Sequence, residues 1–286
     1  MKIGIGLPNT VPGTPGDRLL EWARRAEEAG FAGLATIDRL VYPSYDTLAT
    51  LAAAAGATSR IELVSNILLA PLHSPLMLAK SAASIDQLSG GRLTLGVAVG
   101  GRADDYAAAG RDFSRRGRDL DAALELMHQA WRGEAFAYGA AVTPPPVRGD
   151  RVPLLIGGTG EAALRRTVTW GVGWTAGGGT PEMAAPVMAR IRDMWREAGR
   201  EGEPRFAALA YYALGDDAAD RSRANLRDYY AFLGPYADRV ADSALRTPQA
   251  VRDAVSAFAD IGCTELYLDP TVASLDQIDR LADLVL

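Results

Sequence analysis

Four polar residues lie at or just beyond the ends of short apolar runs, where they could bind a ligand or take part in catalysis. Asp38 and Arg39 follow the second run, Asn66 interrupts the third, and His73 comes shortly after it. A carboxylate can hydrogen-bond a cofactor ring or a substrate, a guanidinium can hold an anionic group, and a histidine can relay a proton near neutral pH. The alternatives are a surface ion pair for Asp38 and Arg39, a hydrogen-bonded core amide for Asn66, and a loop histidine without chemistry.

Glycine-rich turns follow the fifth and sixth apolar runs and could bind a phosphate. Gly157-Gly158-Thr159-Gly160 stands before a helix predicted to begin near Glu161, and Gly177-Gly178-Gly179 follows the next run. Free backbone N–H groups and the positive end of a helix dipole attract phosphate. One such turn is a weak indication, since an ordinary strand-to-helix turn also uses glycine. Two turns on neighbouring units predict one shared phosphate pocket, with these candidate residues: Gly157, Gly158, Thr159, Gly177 and Gly178.

These candidates need a scaffold that brings strand ends together, and the chain alternates β-like runs with helical patterns from end to end. Eight apolar runs are predicted to be strands: Ile3–Leu7, Gly33–Ile37, Ile61–Leu69, Leu93–Val99, Val152–Ile156, Val172–Thr175, Arg205–Ala213 and Glu265–Leu268. Several are continuously apolar, as in strands that are covered on both faces. Eight strand–helix units in 286 residues predict an α/β fold, a (β/α)8 TIM barrel that forms a single domain over residues 1–286.

A doubly wound open sheet is the main alternative to the barrel. Its dinucleotide-binding form carries Gly-x-Gly-x-x-Gly directly after the first strand, whereas this chain has Leu7-Pro8-Asn9-Thr10 there. In a barrel, catalytic and binding groups come from the carboxyl ends of the strands, and the candidate residues lie at those ends. The barrel is therefore the favoured fold.

The sequence indicates where the first predicted helix begins and ends. Leu19, Trp22 and Ala26 fall on one helical face, and Gly30 is placed to end the helix in a left-handed conformation. Thr14 precedes a proline and an acidic residue, so its hydroxyl is predicted to cap the amino end. A helix of this kind covers one face of the predicted sheet.

Composition narrows the classes of function. The formal net charge is −5 and the arginines are scattered, which argues against a nucleic-acid partner. No apolar run approaches the roughly 20 residues of a membrane span, and no secretion signal is visible. Cys263 is the only cysteine and the two histidines are far apart, so neither a disulfide nor a structural zinc site is expected. We expect a soluble cytoplasmic protein without a metal.

The chain resembles the luciferase-like flavin and deazaflavin oxidoreductase superfamily over nearly its whole length. The most specific part is the string Asp-Gln-Leu-Ser-Gly-Gly-Arg at residues 86–92, which continues into the predicted fourth strand. Other matching segments are Glu27–Phe31, Asp38–Leu40, Leu69–Pro75, Ala79-Lys80, Leu93–Val97, Pro153–Gly160 and Gly173-Trp174.

The resemblance implies a (β/α)8 barrel that binds coenzyme F420 or FMN at its carboxyl-end face, in an enzyme that forms a homodimer. It places the cofactor phosphate on the turns at Gly157–Thr159 and Gly177–Gly178. It also implies a non-proline cis peptide bond between Asn66 and Ile67, behind the cofactor ring. Many members carry Asp-His where this chain has Asp38-Arg39, and an arginine cannot accept a proton near neutral pH. Arg39 is therefore predicted to bind an anion or to stabilise developing charge.

Three functions follow from the resemblance. The first is hydride transfer between F420 and a small organic substrate, with Asp38 and Arg39 beside the substrate and His73 as a proton relay. Because the chain is short, no long lid insertion is expected, which favours this function. The second is an FMN-dependent monooxygenase that uses a flavin hydroperoxide and receives reduced flavin from a partner reductase. The third is a barrel that binds a ligand without turnover.

Overall fold

The computed structural model of the protein describes residues 1–286, and its eight strands form a closed parallel barrel in chain order. Closure is made by the first and last strands, which pair from Lys2 opposite Glu265 to Ile5 opposite Leu268. The strands are β1 (Lys2–Gly6), β2 (Gly33–Thr36), β3 (Glu62–Leu69), β4 (Leu93–Ala98), β5 (Leu154–Gly157), β6 (Gly173–Gly178), β7 (Arg205–Tyr212) and β8 (Glu265–Pro270). The predicted (β/α)8 barrel is confirmed, and the open-sheet alternative is excluded by this closure.

Helices lie between the strands and cover the outside of the barrel. They are α1 (Gly16–Ala29), α2 (Thr47–Ala57), α3 (Pro75–Ser89), α4 (Ala103–Ala108), α5 (Arg116–Trp131), α6 (Glu161–Trp170), α7 (Pro181–Glu197), α8 (Ala218–Tyr229), α9 (Tyr236–Asp242), α10 (Pro248–Asp260) and α11 (Asp276–Val285). None of these helices is both long enough and apolar enough to cross a bilayer.

The sequence predicted the end of helix α1 correctly but not the capping of its start. Its buried face contains Leu19, Trp22 and Ala26, and Gly30 ends it with φ of +98°. The predicted cap is wrong, because the Thr14 hydroxyl donates to the Val11 carbonyl instead of accepting from the helix. Thr14 therefore stabilises the turn before the helix.

Alternate residues of each strand point into the barrel, and this pattern fills its interior in layers. The middle layer is apolar and is built from Ala35, Val64, Leu155, Ala207 and Tyr267. The Tyr267 ring lies against Gly4 of the neighbouring strand β1 and Gly33 of β2. A Cβ at Gly4 would overlap the ring, and one at Gly33 would crowd it at 3.0 Å.

A charged layer closes the amino end of the barrel. Arg205 at the start of β7 pairs with Glu265 (Nε to Oε1, 2.6 Å) and with Glu62 (Nη2 to Oε1, 2.8 Å), and it also donates to Thr94. Burial lowers the pKa of Arg205, but the hydrogen bonds and charges of both glutamates outweigh it and raise that pKa above its ordinary value. Compensated charge therefore fills the interior at this end, and Arg205, Glu62 and Glu265 also line a separate cavity of about 430 Å³, the amino-end cavity.

The connection between β7 and α10 departs from the sequence prediction. No long lid insertion was expected, yet helices α8 and α9 and a short 3-10 turn, Ala231–Leu233, occupy this connection and add side chains above the barrel mouth. Two ion pairs join the helices, Arg223 with Asp242 and Arg227 with Asp238. Because both helices carry many charged residues, the sequence lacks the apolar periodicity that would reveal them.

Candidate cofactor and substrate site

A cavity of about 230 Å³ lies at the carboxyl ends of the strands and contains most of the predicted polar residues. We call it the ring pocket. Its lining residues are Ile37, Asp38, Arg39, Asn66, Ile67, Leu69, Gly101, Arg102, Gly177, Gly178, Leu209, Tyr211, Tyr229, Tyr230 and Phe232. The expectation that strand ends converge on one rim agrees with this arrangement.

Asp38 and His73 form one side of the site. The Asp38 Oδ2 atom accepts a hydrogen bond from the Leu69 backbone N–H at 2.9 Å, which fixes the carboxylate in the wall of the ring pocket. His73 Nε2 lies 3.8 Å from the same oxygen, and the His73 side chain is 27% exposed. His73 does not line the pocket itself, so it reaches the pocket only through Asp38.

Arg39 is buried and pairs with a residue that lies 66 positions away in the chain. Its Nε donates to Asp105 Oδ2 at 2.9 Å, and the side chains are 2% and 0% exposed. The guanidinium lies 5.4 Å from the centre of the Tyr42 ring and 5.3 Å from that of Tyr229, and these two rings contact each other edge to face. The alternative of a surface ion pair between Asp38 and Arg39 is therefore wrong. The Arg39 Nη1 atom is buried and has no hydrogen-bond partner within the protein.

Asn66 lies where β3 becomes irregular. Its pairing with β4 shifts register between Ser65 and Leu68, and the peptide bond from Asn66 to Ile67 is cis, as the resemblance implies. The Asn66 Oδ1 atom accepts a hydrogen bond from the Thr175 hydroxyl at 2.8 Å, but its Nδ2 is buried without a partner. The amide is therefore only half satisfied, unlike an ordinary core asparagine.

The two glycine turns lie side by side on the rim. Gly157 at the end of β5 pairs in register with Thr175 of β6, so the chain leaves both strands at neighbouring points. Gly177 and Gly178 line the ring pocket, whereas Gly157, Gly158 and Thr159 lie outside its lining. Helix α6 begins beyond them without a side-chain cap, which leaves backbone N–H groups of its first turn free. Phosphate binding at these turns stays a prediction.

Asp269, in β8, is a buried acid that the sequence analysis did not select. It is 3% exposed inside the barrel, and its carboxylate occupies the space that a Cβ at Gly6 would need. Its Oδ2 atom has no hydrogen-bond partner, and burial raises the pKa of this carboxyl well above the ordinary value. A signal was present, because Glu265, Tyr267 and Asp269 alternate with apolar residues and must share the inward face.

Replacing Asp269 with asparagine is expected to change how stability depends on pH. The folded pKa lies above the unfolded value of about 3.9, so the folded protein holds a proton that the unfolded chain releases. This group therefore lowers the free energy of unfolding by up to about 1.4 kcal/mol per pH unit as pH rises above about 4, until the folded pKa is reached. We expect Asp269→Asn to gain stability relative to wild type between pH 5 and pH 8. Urea unfolding at several pH values measures this difference.

An exposed acid provides the control for that experiment. Asp283 on α11 is exposed, and Asp283→Asn is expected to leave the pH profile of the wild type unchanged within about 0.5 kcal/mol. If the free energy of unfolding changed with pH by the same amount in the wild type and in Asp269→Asn, the assignment of a buried, protonated carboxyl would be contradicted.

Two tyrosines separate the ring pocket from a second cavity. Tyr211 of β7 and Tyr230, which follows α8, join their hydroxyls at 2.8 Å, and burial raises the pKa of both phenols. The second cavity has a volume of about 430 Å³, and we call it the side chamber. It shares Gly178, Leu209, Tyr211 and Tyr230 with the ring pocket, so the two spaces adjoin at this tyrosine pair.

Comparison with known proteins decides the family. The family model described as luciferase-like monooxygenase matches residues 1–273. The chain belongs to this family. An uncharacterised protein of Mycobacterium tuberculosis is 28% identical over 208 residues, which cover 62% of this chain and 71% of that protein.

Two solved structures of luciferase-like enzymes are similar in fold. An F420-dependent secondary alcohol dehydrogenase in complex with an F420–acetone adduct has a TM-score of 0.82 at 20% identity, with 99% of this chain and 98% of that chain covered. The oxygenating constituent of 3,6-diketocamphane monooxygenase from Pseudomonas putida, in complex with FMN, has a TM-score of 0.75 at 15% identity, with 100% and 97% covered. The resemblance predicted from the sequence is confirmed at the level of family and fold.

Proposed function

We propose that this luciferase-like protein is an F420-dependent oxidoreductase that transfers a hydride to or from a small organic substrate. The observation that carries the proposal is a pair of buried donors without partners, Arg39 Nη1 and Asn66 Nδ2, on two residues that line one pocket. Unpaired buried donors cost free energy unless a ligand supplies an acceptor. The pocket is therefore prepared for a ligand that carries several hydrogen-bond acceptors.

The residues present fit a deazaflavin or flavin ring. The pyrimidine part of either ring carries carbonyl oxygens that can accept from Asn66 Nδ2 or from Arg39 Nη1. Ile67 offers an apolar surface in the lining of the ring pocket. Gly177 and Gly178 offer backbone N–H groups at its edge.

When bound, F420 would supply a hydride donor or acceptor at C5 of its ring. The protein would orient the substrate and manage charge and protons on it. Arg39 would stabilise negative charge that develops on a substrate oxygen, because its guanidinium is permanently charged and buried. Asp38 would hydrogen-bond the same region, and His73, partly exposed behind it, would exchange the proton with water. These roles suit the reversible conversion of an alcohol and a carbonyl compound.

An FMN-dependent monooxygenase is the second candidate, and the α8–α9 segment is the observation that favours it. Helices above the mouth limit the access of water, and chemistry with oxygen benefits from that exclusion. We place this function second, because Asp38 and His73 would provide the proton that reduction of a carbonyl needs.

Titration of the purified protein with F420 and with FMN, each oxidised and reduced, tests the proposal. We expect F420 to bind in the micromolar range and FMN much more weakly, measured by fluorescence quenching. Asn66→Ala should weaken F420 binding about fivefold, because it removes one donor to the ring. Gln129→Ala, at a half-buried position on α5 outside the ring pocket, is the matched control and should bind like wild type.

Two outcomes would overturn this order. Tight FMN binding without affinity for F420 would make the monooxygenase the better assignment. Binding of neither cofactor would leave a barrel that binds another ligand without redox turnover.

A further inference from the structure

The side chamber has the dimensions and lining of a small-molecule site. Its volume of about 430 Å³ falls within the usual range for ligand cavities, and most of its lining residues are apolar. Its walls come from the start of α7, from β7 and from the α8–α9 segment, with Phe258 of α10 on the remaining side. Because it adjoins the ring pocket at Tyr211 and Tyr230, a molecule in the chamber can reach toward the ring pocket.

Charge in the chamber is limited to one residue. Arg239 of α9 lines it, and no aspartate or glutamate does. The acids next to Arg239 on the same helix are engaged elsewhere: Asp238 pairs with Arg227 at 2.6 Å, and Asp242 pairs with Arg223 at 3.2 Å. Arg239 itself makes no ion pair, and its guanidinium lies 5.8 Å from the centre of the Tyr236 ring. A single uncompensated cation therefore stands on an otherwise apolar wall.

We propose that the side chamber binds the body of an amphiphilic organic anion, with its carboxylate on Arg239 and its apolar chain along the inner wall. This inference rests on the proposed function, because it names the substrate class of the same site. The apolar wall favours a hydrocarbon chain over a sugar or a nucleotide. Arg239 is exposed, so the carboxylate stays near water while the chain is buried.

Three probes with the same chain length test the charge requirement: decanoate, decanol and decylamine. Isothermal titration calorimetry of the purified protein measures their affinities below the concentration at which micelles form. We expect decanoate to bind about tenfold more tightly than decanol, because a hydrogen bond to a charged group adds to burial of the same chain. Decylamine should bind more weakly than both, since its charge repels that of Arg239.

Three variants locate the site. Arg239→Gln should lower decanoate affinity about tenfold, to the level of decanol, and leave decanol binding unchanged. Arg24→Gln is the matched control, because Arg24 is an exposed arginine on α1 that makes no ion pair and does not line the chamber. Ala254→Phe places a ring into the chamber from α10 and should weaken both ligands, while its thermal midpoint shows that the variant is folded.

The results that would contradict this proposal differ from those that would contradict the proposed function. Equal affinity for decanoate and decanol, or no effect of Arg239→Gln, would overturn the requirement for an anion. Unchanged binding in a folded Ala254→Phe would place the ligand outside the chamber. F420 titration is a separate measurement. Decanoate binding without F420 binding would support the ligand site in the side chamber and contradict the proposed redox function.

Discussion

Substituting Arg39 with methionine is expected to lower the free energy of unfolding by about 3–5 kcal/mol. The guanidinium and the Asp105 carboxylate are almost fully buried and lie 2.9 Å apart, so the variant leaves a buried carboxylate without its main partner. The methionine also loses the contacts between a cation and the faces of Tyr42 and Tyr229. Arg102 Nε, 3.9 Å from Asp105, compensates only part of the lost charge. Urea unfolding followed by circular dichroism measures the change.

The double variant Arg39→Met/Asp105→Asn separates charge from packing. Because it removes both charges together, it should recover a large part of the stability that Arg39→Met loses. Arg115→Met breaks an exposed pair with Asp119 and should change stability by less than about 1 kcal/mol. A loss below about 1 kcal/mol for Arg39→Met would contradict a buried ion pair at this position.

The second large effect is expected at the opposite end of the barrel. Arg205→Met should lower the free energy of unfolding by about 3 kcal/mol, because the Glu265 carboxylate, which is 4% exposed, would lose the cation with which it pairs. Glu62 is 20% exposed and lines the amino-end cavity, so the loss comes mainly from Glu265. Urea unfolding at pH 7 measures the change.

A partner variant checks this interpretation. In Arg205→Met/Glu265→Gln one of the two acids is neutral, so the loss of stability at pH 7 should be smaller than in the single variant. An equal loss of stability in the single and the double variant would show that lost packing of the arginine, and not charge, accounts for the effect.

The scaffold was predictable because buried parallel strands leave a local pattern. Continuous apolar runs gave all eight strands with bounds close to those observed, and barrel closure then followed from their number and spacing. The same logic placed Asp38, Asn66 and Gly177 near one rim, since each follows or ends a strand. These features depend on positions that are near in sequence.

Features that depend on distant partners were not predictable. Nothing near Arg39 in the sequence indicates that Asp105 is its partner. The two residues meet only when α4 packs beside the end of β2. Tyr229 and Tyr230 end a highly charged helix, and their place over the mouth depends on the path of the β7–α10 connection. The alternation in β8 indicated that Asp269 faces inward, but its missing hydrogen-bond partner depends on the strands packed around it. A sequence alone specifies the type of each residue but does not show which distant residues it contacts in the fold.

The charged layer formed by Arg205 and its two glutamates has a kinetic consequence. Because it occupies the amino end of the barrel, a ligand of the ring pocket enters and leaves on the carboxyl-end side. A second ligand bound over the mouth of that pocket would therefore slow the dissociation of the first.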